Sequence, residues 1–130
     1  MSIVVAYSAD RYGAAALEHA ADLARKDGTR LVVVNATLGG KLVDSRFAQD
    51  AEIVALHDRL AAEGLDVVVR HEMVDDVADA VVAVADEERA TLVVVGIRHR
   101  TPVGKLLLGS VAQRIILEAH CPVLAVKPAS

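Results

Sequence analysis

Thr91-Leu-Val-Val-Val-Gly96 decides the fold. Its four apolar residues run without a polar interruption, and three of them are β-branched. A half-solvated strand alternates apolar with polar side chains, whereas a strand of a parallel sheet is covered on both faces and reads as a continuous apolar run. The same signature recurs at Ile3–Tyr7, Leu31–Ala36 and Leu65–Arg70, and again at Val123–Val126 behind Pro122. Each run is short and bounded by Gly, Pro or charge, as strands are.

Helical spacing fills the intervals. One apolar stripe runs through Leu17, Ala20 and Leu23 or Ala24, and a second through Ile53, Leu56 and Leu60. A third runs through Val74, Ala78, Val81 and Ala85, and a fourth through Leu108, Val111 or Ala112, Ile115 and Ala119. This is the period of helices lying on a sheet. Asp10, Asp75 and Ser110 stand where N-caps belong, and Gly28 and Gly64 where helices end. Strands alternating with helices imply right-handed crossovers and an α/β, doubly wound, five-stranded parallel sheet with helices on both faces. The whole of residues 1–130 is expected to form one domain, since that length buries a core without staples.

Composition narrows the function. The chain is 54% hydrophobic, yet Tyr7, Tyr12 and Phe47 are its only aromatic residues, so the core must be aliphatic. A net charge of −4 argues against a nucleic-acid partner, which needs a basic face. The longest apolar runs fall far short of the ~20 residues that span a bilayer, so no membrane segment is expected. The opening residues read directly as a strand, so no leader is expected. One cysteine allows no internal disulfide, which fits a reducing, cytoplasmic setting. Cys121, at a strand entry behind a helix C-terminus, reads as a small core residue rather than a reactive thiol. The five histidines match no zinc spacing, so no metal site is expected, and His120 is placed to complement a helix dipole. Asp75-Asp76 reads as a helix start and Asp86-Glu87-Glu88 as a solvated helix end.

In such a sheet, ligands bind at the carboxyl ends of the strands, where strand order reverses. The loops to weigh are Tyr7–Gly13, Asn35–Ser45 and Gly96–Ser110. The third is the most informative. Gly96 follows a strand and lets the backbone approach a ligand closely. Gly109-Ser110 opens the last helix, whose free N–H groups and dipole favour an anion. Arg98, His99, Arg100 and Lys105 add basic residues between them. Together these residues make a phosphate cradle. Ser110 and Gln113 also have the spacing of a capping box, which alone would account for Ser110. No nucleophile elbow is present, and Gly104-Lys105 is followed by Leu106, not the Ser or Thr of a Walker loop.

With these motifs in place, the chain resembles the universal stress protein family. The likeness is strongest from Thr91–Gly96, through Gly109-Ser110-Val-Ala-Gln-Arg114, to His120-Cys-Pro-Val-Leu-Ala-Val126. The resemblance implies strand order 3-2-1-4-5, a homodimer paired through the last strand, and a regulatory role in stress survival with unknown protein clients. ATP-binding members carry G-x-x-G, nine residues, then G-[ST]. Here Gly96 and Gly109-Ser110 match, while His99 replaces the second glycine. Members that bind ATP also place an aspartate after strand one, where this chain has Ser8, with Asp10 two residues on.

The resemblance implies an adenine nucleotide such as ATP, with Mg²⁺ if bound. The ribose would lie near Ala6, Tyr7 and Ser8, and the base near Val34, Asn35 and Ala36. The phosphates would lie on Gly96, Arg98, His99, Gly109, Ser110 and Val111, neutralised by Arg100 and Lys105. With no positioned general base, the expected function is binding rather than catalysis, with at most slow hydrolysis. Ser8 and His99 leave open an alternative in which the site has decayed and the dimer acts as a scaffold. An enzyme on the same scaffold is a third reading, against which stands the lack of a partnered nucleophile or acid–base pair.

Overall fold

A computed structural model describes residues 1–37, 50–97 and 109–128. In chain order these form β1 (Ser2–Ala6), α1 (Arg11–Asp27), β2 (Arg30–Thr37), α2 (Asp50–Ala62), β3 (Val67–Met73), α3 (Val77–Glu87), β4 (Ala90–Gly96), α4 (Ser110–Glu118) and β5 (Val123–Val126). The sheet order is β3-β2-β1-β4-β5 and every pairing is parallel.

The continuous apolar runs have their cause in two cores. Ile3, Val5, Leu31, Val33, Val67 and Val94 face α1 and α2, packing on Leu17, Ala20, Ala24 and Leu60. Val4, Val32, Val34, Val93 and Val95 face α3 and α4, packing on Ala78, Val81, Ala85, Ala112 and Ile115. Neighbouring residues of a strand point to opposite faces, so covering both faces demands apolar side chains at successive positions.

The boundaries correct several expectations. β3 starts at Val67 rather than Leu65 and continues through Arg70, His71, Glu72 and Met73. It is an edge strand paired only with the long β2, so polar and exposed residues can extend the ladder and hydropathy does not mark its end. The N-cap of α3 is Asp76, not Asp75: its carboxylate accepts the Asp79 N–H at 2.9 Å. Val74 accordingly lies before α3. Asp10 caps α1 as expected, accepting the Gly13 N–H at 2.9 Å, and Gly28 closes that helix in the left-handed region at φ 64°.

His120 does not serve the dipole of α4, which ends two residues earlier; its Nδ1 meets the Asp86 carboxylate at 3.0 Å. Helices α3 and α4 run side by side in the same direction, so the residue just past one end meets the end of the other. The acidic run is also more engaged than a solvated face would be, with Glu87 on Arg70 at 3.4 Å and Glu88 on Arg30 at 3.7 Å. Cys121 packs half-buried against the α3/α4 core, where burial and then Asp86 push its thiol pKa up, away from reactivity.

Candidate functional site

Strand order reverses between β1 and β4, whose chains leave for opposite faces of the sheet. Two strand-to-helix turns flank this point. In the first, Ser8 Oγ donates to Asp10 Oδ1 at 2.8 Å, and the Asp10 N–H donates to the Ser8 carbonyl at 2.8 Å. The same Asp10 oxygen accepts Gly13 N–H. A Cβ at Gly13 would collide with the Ser8 backbone. Asp10 therefore has the capping role, and its contact with Ser8 joins the two side chains into one unit.

Gly96 ends β4 rather than turning, with its register partner at Val126. A Cβ there would lie 2.7 Å from the Tyr12 carbonyl carbon. The residue must be glycine because the first turn of α1 crosses it, a reason that sequence reading assigned to a ligand. The α1 side of the β1–β4 junction is thus filled by protein backbone.

The second turn differs. Gly109, at φ 85° and ψ 145°, is the N-cap residue of α4, and no side chain caps the helix. Ser110 is the first helical residue, so the expected capping box with Gln113 does not form; Gln113 N–H instead bonds the Gly109 carbonyl at 3.0 Å. Gly109 and Ser110 are exposed, and among the described residues, chain neighbours aside, none comes within 4 Å of where a Gly109 Cβ would stand. The first N–H groups of a helix have no intrahelical partner, and the dipole gives them partial positive charge. An uncapped, open helix start of this kind is suited to an anion.

Beside it, the top layer of the sheet tapers. On the α3/α4 face β1 goes from Val4 to Ala6 and β2 from Val34 to Ala36, and both alanines are only partly covered. Val111, in the first turn of α4, packs half-buried against the same cluster. Ala6 is the last residue of β1 and Ala36 the last but one of β2, so each Val-to-Ala step removes side-chain volume at the carboxyl end of its strand. Ala6, Ala36 and Val111 thus each lie at the partly covered margin of the α3/α4 core.

Other expected residues are committed elsewhere. The Val34 carbonyl accepts the Tyr7 N–H at 2.8 Å, and buried Asn35 donates its amide to the Tyr7 carbonyl at 2.9 Å. Strand β2 runs on to Thr37, so both residues lie inside the ladder. Tyr7 is half-buried on the α1/α2 side; burial, then the Glu52 and Asp10 carboxylates, raise its hydroxyl pKa above the ordinary value. Arg98, His99, Arg100 and Lys105 lie outside the described residues.

Sequence reading missed the Ala6–Ala36 taper as a shape. The signal was available as Val-to-Ala steps two residues apart in two strands. A shallow depression at the opposite, amino ends of the strands is lined by Arg30, Asp66, Glu87, Glu88 and Arg89. Arg30 there is already engaged by Asp66 at 3.1 Å, and that end lies away from both the switch point and the open helix start. No helix among the described residues is long and apolar enough to cross a membrane.

Comparison with known proteins agrees with this architecture. The sequence profile of the universal stress protein family matches residues 1–127. A universal stress protein from Mycolicibacterium smegmatis is 48% identical over 126 residues, 97% of either chain. A universal stress protein from Archaeoglobus fulgidus, solved in complex with dAMP, superposes with a TM-score of 0.64 at 30% identity, over 98% of both chains. Another universal stress protein, solved in complex with cAMP, gives 0.71 at 26% identity, covering 99% of this chain and 98% of its own. Strand order, the motif glycines and near-full-length similarity converge: the chain belongs to the universal stress protein family.

Proposed function

We propose that this protein is a dimeric regulatory module that binds an adenine nucleotide, its phosphates at the start of α4 and its base over the Ala6–Ala36 recess. The observation that carries this reading is the α4 terminus, which begins on an exposed glycine with no side-chain cap. Relatives solved with dAMP and cAMP support the ligand class. Ser110 and Val111 offer N–H groups to phosphate. The ribose lies near Ala6 and Ser8, where the Ser8–Asp10 unit presents hydroxyl and carboxylate oxygens as acceptors. Arg98, Arg100 and Lys105 supply neutralising charge, and Mg²⁺ accompanies a bound triphosphate. The role is binding without turnover, in the cytoplasm. The dimer forms through β5, which has a sheet neighbour on one side only. Sedimentation velocity checks that point: a single 13.7 kDa species would refute it.

The test is thermal unfolding of dialysed protein with AMP, or with ATP and Mg²⁺. A ligand at about 100 times its Kd stabilises the native state by about 2.7 kcal/mol. In a domain of this size that raises Tm by several degrees. Gly109→Glu should remove the shift by placing a carboxylate in the opening. No shift with any adenine nucleotide would instead favour a scaffold dimer. The observation on that side is the Ser8 hydroxyl, whose hydrogen is already given to Asp10.

A further inference from the structure

The start of α4 has no side-chain cap, and its apolar anchors are the buried Ala112 and Ile115 with half-buried Val111. Apolar contacts are non-directional and tolerate small slides of a helix along its axis. One side chain supplies direction. Arg114 Nη1 bonds Asp76 Oδ2 at 2.5 Å, while Nη2 bonds Asp79 Oδ1 at 2.8 Å and Glu118 Oε2 at 3.1 Å. Asp76 is also the N-cap of α3. The planar guanidinium therefore ties the middle of α4 to the capped start of α3 with geometry that an ammonium would not reproduce.

Arg114 stands four residues after Ser110, on the same stripe of α4 and about 6 Å along its axis. Ion pairs this exposed contribute little to global stability. We infer that Arg114 is a positioning residue for the anion site, holding the open start of α4 in register with α3 without touching the ligand. This inference rests on the proposed nucleotide site for its functional meaning, but its structural half can be read in nucleotide-free protein.

The test compares Arg114→Met, which keeps the aliphatic stem, with Arg114→Lys, which keeps charge but not the fork. Arg30→Met, at the opposite end of the sheet, is the control for loss of an exposed ion-pair cluster. Amide NMR of the free proteins and AMP titration calorimetry are the readouts. Arg114→Met should displace the Gly109, Ser110 and Val111 amide signals and weaken AMP roughly tenfold. Its Tm should fall no further than that of Arg30→Met, which should leave AMP affinity unchanged. Arg114→Lys should fall between wild type and Arg114→Met. Unmoved amide signals in Arg114→Met would overturn the inference, as would an equal loss of affinity in Arg30→Met. Recovery of affinity on adding Asp79→Asn to Arg114→Met would also overturn it, by assigning the loss to uncompensated charge. If wild-type protein binds no AMP, the nucleotide reading fails and the amide signals alone decide the positioning role.

Discussion

The helices α1 and α4 follow the two strands that flank the strand-order reversal, yet their starts are built in opposite ways. After β1, Asp10 takes up the Gly13 N–H in the first turn of α1 and the Ser8 hydroxyl, and Gly13 lets the backbone close on Ser8 without room for a methyl group. At α4 the helix starts on an exposed glycine with positive φ and no side-chain cap. One helix start is closed by a side-chain cap and the other begins on glycine without one. A helix terminus left without partners ordinarily forfeits the stability of a cap, so an open one in a well-packed domain is where function is expected.

This contrast can be broken by substitution. Gly13→Ala should be the most damaging change, destabilising by about 3 kcal/mol or more through overlap with the Ser8 backbone, as read from urea unfolding. Gly109→Ala should cost less, about 1–3 kcal/mol, from a positive-φ extended backbone that favours glycine. It should also retain nucleotide, whereas Gly109→Glu should not; equal loss of binding in both would place the anion elsewhere.

Asp10→Ala should cost about 1 kcal/mol, the usual worth of an N-cap. Ser110→Ala should stay within about 0.5 kcal/mol, because Ser110 caps nothing. A penalty at Ser110 matching that at Asp10 would restore the capping box and erase the asymmetry.

The smallest expected effect concerns the third helix start near this edge. Asp76 has its pKa lowered from 3.8, first by the Asp79 N–H and then by Arg114. A depressed folded-state pKa contributes stability above the unfolded value and loses it as pH falls through the folded one. The difference in stability between wild type and Asp76→Asn should therefore shrink below pH 3.8 and stay constant above it. A difference that grows on acidification would contradict the clasp.

The strands were legible in sequence where both faces are buried. Val123–Val126 stands as expected, and β1, β2 and β4 differ by a residue or two at their ends. Legibility failed at β3, because its ladder with the longer β2 continues through polar residues, whereas the other edge strand, β5, is apolar throughout. At the site, the helix start at Gly109-Ser110 was legible because a glycine before a helical stripe has few other causes. The reason for Gly96 was not, since its neighbour Tyr12 is 84 residues away in sequence and only the fold brings them together. Asp76 in place of Asp75 shows the same limit: two adjacent acids satisfy the same cap rule, and backbone geometry chooses between them.

The most direct test of the asymmetry is an amide NMR titration of the wild-type protein with AMP. Saturable shifts should be largest at Gly109, Ser110 and Val111, with the capped Gly13 and Asp79 amides moving little. If those three signals stay in place at millimolar AMP, the open start of α4 is not an anion site and the account of this edge is wrong.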